Sequence, residues 1–242
     1  MLSDYDCRVL DVDRYKLHLG NDSLLNDEFQ KIANDVTDLG SLGFHKLVCQ
    51  VKCSSAFPVS NIKKSISAAK RTITKEISHR LSGKFSLSFI PVLYLSKDVP
   101  YIKDLKALSV SKSNYIFIEL PFSFSSEHVP MAINKILYSQ KLIPVFANFH
   151  AYTSTYDSEE INRFIGIKNA AFQFSLSHAI LPQNVKIIKK ILKSDNTVLL
   201  GTACDHSDLN KLQIAKNIKA LQGLLGEEDY IKLILKARAF PS

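Results

Sequence analysis

The chain of 242 residues carries 31 lysines and arginines against 23 acidic residues, a net charge of +8, and 46% of it is hydrophobic. That apolar fraction supports a buried core and excludes a disordered chain, and the length suits one large α/β barrel or two small domains. No stretch approaches the roughly 18 consecutive apolar residues of a membrane span, and the opening MLSDYDCRVL lacks the long apolar run of a secretory signal, so a cytoplasmic protein is expected.

A first strand is expected in the opening residues, ending near Tyr5, Asp6 and Cys7. Leu25, Phe29, Ile32, Val36 and Leu39 then form a helical stripe, which Gly40 stops. KLVCQV (46–51) predicts the second strand. After it, Ile62, Ile66, Ala69, Ile73 and Ile77 alternate with Lys63, Lys64, Lys70, Arg71, Lys75 and Arg80, the pattern of an amphipathic helix with a solvated basic face. No aromatic residue interleaves with those charges, so nucleic-acid binding is not expected.

LSFIPVLYL (87–95), YIFIEL (115–120), IPVFANF (143–149), AAFQFSL (170–176) and TVLLGT (197–202) predict the remaining strands. Several are apolar at consecutive positions, as strands buried on both faces of a parallel sheet are. Between them, Val129, Ala132, Ile133, Ile136 and Leu137 make a helical stripe with Pro130 in its first turn. Further helices are expected over 182–193, 208–225 and 227–237, with Gly226 separating the last two. Strands and helices alternate throughout, with no repeat and no linker, which predicts one α/β domain over 1–242 with a parallel sheet.

In such a sheet, chemistry collects at the carboxyl ends of the strands. Those ends carry Tyr5 and Cys7, then Lys52 and Cys53, Glu119, Asn148 and His150, and last Ala203, Cys204, Asp205 and His206, with Val92 inside the third strand. The four cysteines, Cys7, Cys49, Cys53 and Cys204, have neither paired zinc-site spacing nor a secreted disulfide framework, so reduced thiols are expected. Two other chemistries stay open. Cys7, Cys53, His150 and Cys204 together would suit zinc, and Cys204 or Cys53 with His150 or His206 would pair a nucleophile with a base. The plainer reading is packed thiols and exposed loop histidines, with Asp205, His206 and Asp208 capping the helix that follows.

Read in order, several segments resemble the manganese-dependent bacterial tyrosine phosphatases of capsular and exopolysaccharide loci, in the polymerase-and-histidinol-phosphatase (PHP) superfamily. SKSNYIFIELPF is similar to that family's N-D-S-R-Y-(apolar)-I-E-F/L stretch, and VPMAINKILYSQKLIPVFANFHAY to its helix and strand ending in A-H-x-E-R. AFQFSLSHAI, VLLGTACDH and the terminal LKARAF resemble its Q-(apolar)-(N/T) strand, its A-S-D-x-H segment and its N-P-R-x-(I/F) ending. The resemblance covers nearly the whole chain and implies a distorted parallel βα barrel.

It also implies that the metal ligands are substituted. The family's first His-x-His falls on Tyr5 and Cys7, its second-strand His on Lys52, and its third-strand Glu on Val92. The His, Glu and Arg of A-H-x-E-R fall on Asn148, His150 and Ala151, and the closing Asp-x-His falls on Ala203 and Asp205. Only Glu119 matches a family carboxylate. A valine donates nothing, and a lysine at a cation site adds repulsion. The expectation is a catalytically inactive relative that needs no cofactor and acts as a binding or regulatory protein in polysaccharide biosynthesis. Its expected partner is a phosphorylated tyrosine kinase or another acidic peptide. Lys52, Glu119, His150, Asp205 and His206 are the candidate ligand-binding residues. The alternative is an active phosphatase or hydrolase with an altered manganese or zinc site, or with a Cys/His pair.

Overall fold

Each strand lies parallel to the strand before it in sequence, so the sheet is wound in one direction from its first strand to its last. In a computed structural model, which describes residues 2–11, 34, 37–40, 44–53, 59–78, 86–110, 113–122, 128–202 and 211–241, the strands are β1 (Leu2–Asp11), β2 (Phe44–Cys53), β3 (Ser86–Tyr94), β4 (Tyr115–Glu119), β5 (Ile143–Phe146), β6 (Ala171–Ser175) and β7 (Thr197–Gly201). A parallel strand can follow its neighbour only through a crossover on the sheet's face. Six such crossovers in one direction curl the sheet until β1 and β7 approach each other. Among the described residues no ladder joins those two strands, so the barrel is incomplete.

The helices are α1 (Val59–Ser78), α2 (His128–Asn134) with a π-helical turn over Lys135–Ser139, α3 (Ser158–Ile165), α4 (Leu176–Ala179), α5 (Pro182–Lys193), α6 (Lys211–Leu225) and α7 (Glu227–Ala239). Short 3₁₀ turns cover Val99–Tyr101, Leu105–Leu108 and Phe149–Ala151. Of the expected stripe from Leu25 to Leu39, only residues 34 and 37–40 are described; they are helical, and Leu39 is buried.

The period of two along each strand divides the core into two layers. Leu93, Ile116, Ile118, Phe146, Phe172 and Val198 face the helices and pack with Ile62, Val129, Ile188, Leu221 and Leu233. The intervening residues Val48, Ile90, Val92, Phe117, Val145, Ala171 and Leu199 fill the inside of the curl. The end of the chain closes the floor of that interior: Phe240 sits 4.6 Å from the Tyr115 ring and 6.2 Å from the Phe117 ring, centroid to centroid. Its carbonyl accepts from Lys46 Nζ at 2.8 Å, and burial lowers the pKa of that lysine.

Local chemistry fixes the connections. Asp157 and Glu160 form a reciprocal capping box at the start of α3, with contacts of 2.8 and 3.0 Å. After α5, Asp195 takes the left-handed conformation (φ 65). There Lys236 of α7 donates to the Asp195 carbonyl, to its carboxylate at 2.6 Å, and to the Asn196 carbonyl at 3.3 Å. This satisfies carbonyls just past the helix end and ties α7 to the turn before β7.

Candidate functional site

The same alternation carries polar residues into the curl's carboxyl end. On β2, Val48 belongs to the inner core, so Gln50 and Lys52 follow it on that face. On β6, Ala171 is inside, and Gln173 and Ser175 follow. Gln50 Nε2 donates to Gln173 Oε1 at 3.3 Å, bridging the interior from β2 to β6. The backbone N–H of Asn148 donates to the same oxygen at 2.6 Å. Asn148 can do so because it adopts the left-handed conformation (φ 51, ψ 38) just past β5. Asparagine tolerates that region better than most residues, which lose about 1–2 kcal/mol there.

Above this layer lies the mouth's central contact. Lys52 Nζ is 3.2 Å from Glu119 Oε1, and Asn148 Nδ2 donates to the same carboxylate oxygen at 3.4 Å. The Glu119 side chain is 16% exposed and that of Lys52 40%. The carboxylate is thus largely withdrawn from water, which strengthens its pairing, while the ammonium keeps one side open.

At the β5–β6 edge, His150 Nδ1 accepts the backbone N–H of Ser175 at 3.2 Å. In the neutral ring the proton therefore resides on Nε2, and the ring presents a donor. His150 stacks on His178 with centroids 4.4 Å apart and an interplanar angle of 24°. Burial first, and the neighbouring His178 second, push the His150 pKa down to about 4. His178 Nδ1 lies 2.7 Å from Ser175 Oγ, which in turn lies 3.2 Å from Ser177 Oγ. Beside Glu119, burial and then the carboxylate's charge raise the pKa of the Tyr152 phenol.

The structure thus brings together Lys52, Glu119 and Asn148, with His150 one strand edge away. It does not bring Cys53 to them. Lys52 and Cys53 are consecutive on one strand and face opposite ways. Cys53 is buried in the helix-facing core, and its Sγ donates to the Val92 carbonyl at 3.2 Å. A site joining Cys53 to His150 is therefore not formed. Val92 is 1% exposed in the inner core.

Tyr5 and Cys7 do not mark a strand end, because β1 continues to Asp11, the register partner of Lys52. Residues 5–7 instead span an irregularity between the pairs Asp4 with Leu47 and Arg8 with Cys49; their side chains lie outside the description. Ala203, Cys204, Asp205 and His206 lie outside the described residues altogether.

Sequence reasoning missed Gln50, Gln173, Ser175 and His178. A signal for the glutamines was present: each is the polar residue inside an otherwise apolar strand run, LVCQV and AFQF.

Among the described residues no three His, Cys, Asp or Glu side chains stand close enough to hold a metal ion together. The described mouth offers one carboxylate, already held by an ammonium and an amide, and two stacked imidazoles, His150 with its Nδ1 committed to a backbone N–H and His178 with its Nδ1 against the Ser175 hydroxyl. That donor set does not fit a cluster of divalent cations, which requires several carboxylate or imidazole donors.

No protein-family model matches the sequence, and no curated protein does. A solved structure of the metal-dependent tyrosine phosphatases YwqE from Bacillus subtilis and CpsB from Streptococcus pneumoniae is similar to this chain, with a TM-score of 0.61. The match covers 88% of this chain and 90% of that chain at 13% sequence identity. It is a likeness of fold, and it falls on the group of proteins that the ordered sequence segments resemble.

Proposed function

We propose that this chain is a phosphatase-related barrel that binds a phosphorylated or acidic peptide without hydrolysing it, as a regulatory component of capsular or exopolysaccharide biosynthesis. One observation carries the reading: the Lys52 ammonium stands 3.2 Å from Glu119, the single described carboxylate at the mouth. By the segment resemblance, Lys52 takes the place of a metal-ligating histidine, and an ammonium there repels a cation.

What remains favours anion recognition. Lys52 presents a half-exposed point charge, His150 presents an Nε2 donor, and Asn148 presents an amide. The fold likeness to metal-dependent tyrosine phosphatases supports phosphotyrosine in an acidic tail, such as that of a tyrosine kinase, as the ligand. A partly desolvated charged contact contributes about 1.5–3 kcal/mol, a ten-fold effect or more in affinity.

The test titrates one labelled phosphotyrosine peptide into wild type, Lys52→Glu and a Lys63→Glu/Lys64→Glu double variant. Weakening in Lys52→Glu with near-wild-type affinity in the double variant is the expected result. Equal affinity for wild type and Lys52→Glu, with loss only in the double variant, would remove the mouth as the binding site.

A further inference from the structure

A second charged surface lies on the outer layer, away from the mouth. On α1, Lys63, Lys64, Lys70 and Arg71 are all exposed. At 100° per residue they fall within one arc, and Ser67 and Thr74, both exposed, lie between them. The Leu105–Leu108 turn packs against α1 and adds exposed Lys103 and Lys106. Gln140, just past the π-helical turn, donates from Nε2 to the Lys103 carbonyl at 3.1 Å, which ties the segment after α2 to this turn.

Large apolar side chains stand out of this basic field. Tyr101 is 76% exposed, Tyr138 77% and Met131 50%. Tyr101 belongs to the Val99–Tyr101 turn, which packs against α2, the helix carrying Met131. The exposed acids described nearby are Asp98 and Asp104. Asp104 is occupied as a cap, accepting from Ala107 N at 3.2 Å.

We propose that this face rests on an anionic lipid bilayer, holding the protein at a membrane surface without spanning it. Three features favour a bilayer over a protein or an RNA. The cations are spread over two successive crossovers, β2 to β3 and β3 to β4, and a plane of headgroups requires no shape complementarity. Five of the six are lysines, point charges that suit diffuse attraction better than the bidentate contacts arginine makes. The protruding rings are tyrosines, whose apolar body and polar tip suit the headgroup boundary.

The chain has no tryptophan, so Tyr101→Trp introduces a single, unambiguous fluorescent reporter on this face. Leu235→Trp, at a position 58% exposed on α7, places the same reporter elsewhere. Each variant is mixed with vesicles of phosphatidylcholine alone, or of equal parts phosphatidylcholine and phosphatidylglycerol. The expected result is a blue shift for Tyr101→Trp on the anionic vesicles alone and no shift for Leu235→Trp. Adding Lys63→Gln and Lys106→Gln to the Tyr101→Trp protein should weaken that partitioning by about ten-fold. No shift on anionic vesicles, an equal shift on both vesicle types, or a Tyr101→Trp signal that answers to a short RNA but not to vesicles would overturn the proposal.

Discussion

Acidification should destabilise this fold through His150. Its imidazole is pushed down to about pKa 4, by burial first and His178 second, whereas the same ring in an unfolded chain titrates near pH 6.5. The unfolded chain therefore takes up the proton first as pH falls. The stability contributed by the neutral ring is complete above about pH 6.5 and is progressively lost down to about pH 4. From these two values, lowering the pH from about 7.5 to about 5 costs about 2 kcal/mol. The remaining exposure of the ring makes that an upper figure. Urea unfolding of wild type and His150→Gln across this range isolates the term, because glutamine offers the Ser175 N–H an acceptor but does not titrate. The expected result is a wild-type decline steeper than the variant's by up to about 2 kcal/mol. An imidazole Cε1 resonance of His150 that titrates near pH 6.5 by NMR would refute the reasoning, as would parallel pH profiles for the two proteins.

Further outcomes follow from the packing and the backbone. Phe240→Ala should cost about 3–5 kcal/mol in urea unfolding, because it opens the barrel floor beneath Tyr115 and Phe117. Asn148→Gly should be less destabilising than Asn148→Ala, by about 1 kcal/mol, since both lose the contact with Glu119 but only alanine pays for the left-handed backbone. Asp157→Ala should lower stability by about 1 kcal/mol through loss of the α3 capping box, visible as a lower urea midpoint.

The sheet was legible because its strands are short apolar runs separated by helical stripes: the segments expected from 46 to 202 each fall on one of β2 to β7, though β2 runs two residues further at each end and β3 starts one residue earlier, and α5 begins and ends where its periodicity does, at Pro182 and Lys193. The α3 helix is not among the expected elements although its signal, Asp157 followed three residues later by Glu160, is local and readable. The π-helical turn after α2 has no local signature, and a stripe of apolar residues looks the same with or without it.

At the site, Lys52, Glu119 and Asn148 could be placed at strand ends, but their mutual contacts could not be read. These depend on the stagger between strands, which sets Lys52 beside Val92 and Glu119 beside Tyr94. Taken as points, the strand ends group Cys53 with His150. A strand end has two faces, and one residue's step crosses from the mouth to the helix side. His178 and Ser175 meet only because β6 runs directly into α4, a junction no spacing rule anticipates.

The proposal is that the Lys52–Glu119 ion pair replaces metal donors at the mouth. Turnover of a phosphotyrosine peptide over a manganese titration tests it most directly, with wild type and Glu119→Gln run side by side. The account predicts no release of phosphate above the buffer rate at any manganese level in either protein; saturable, manganese-dependent turnover in wild type that disappears in Glu119→Gln would contradict it.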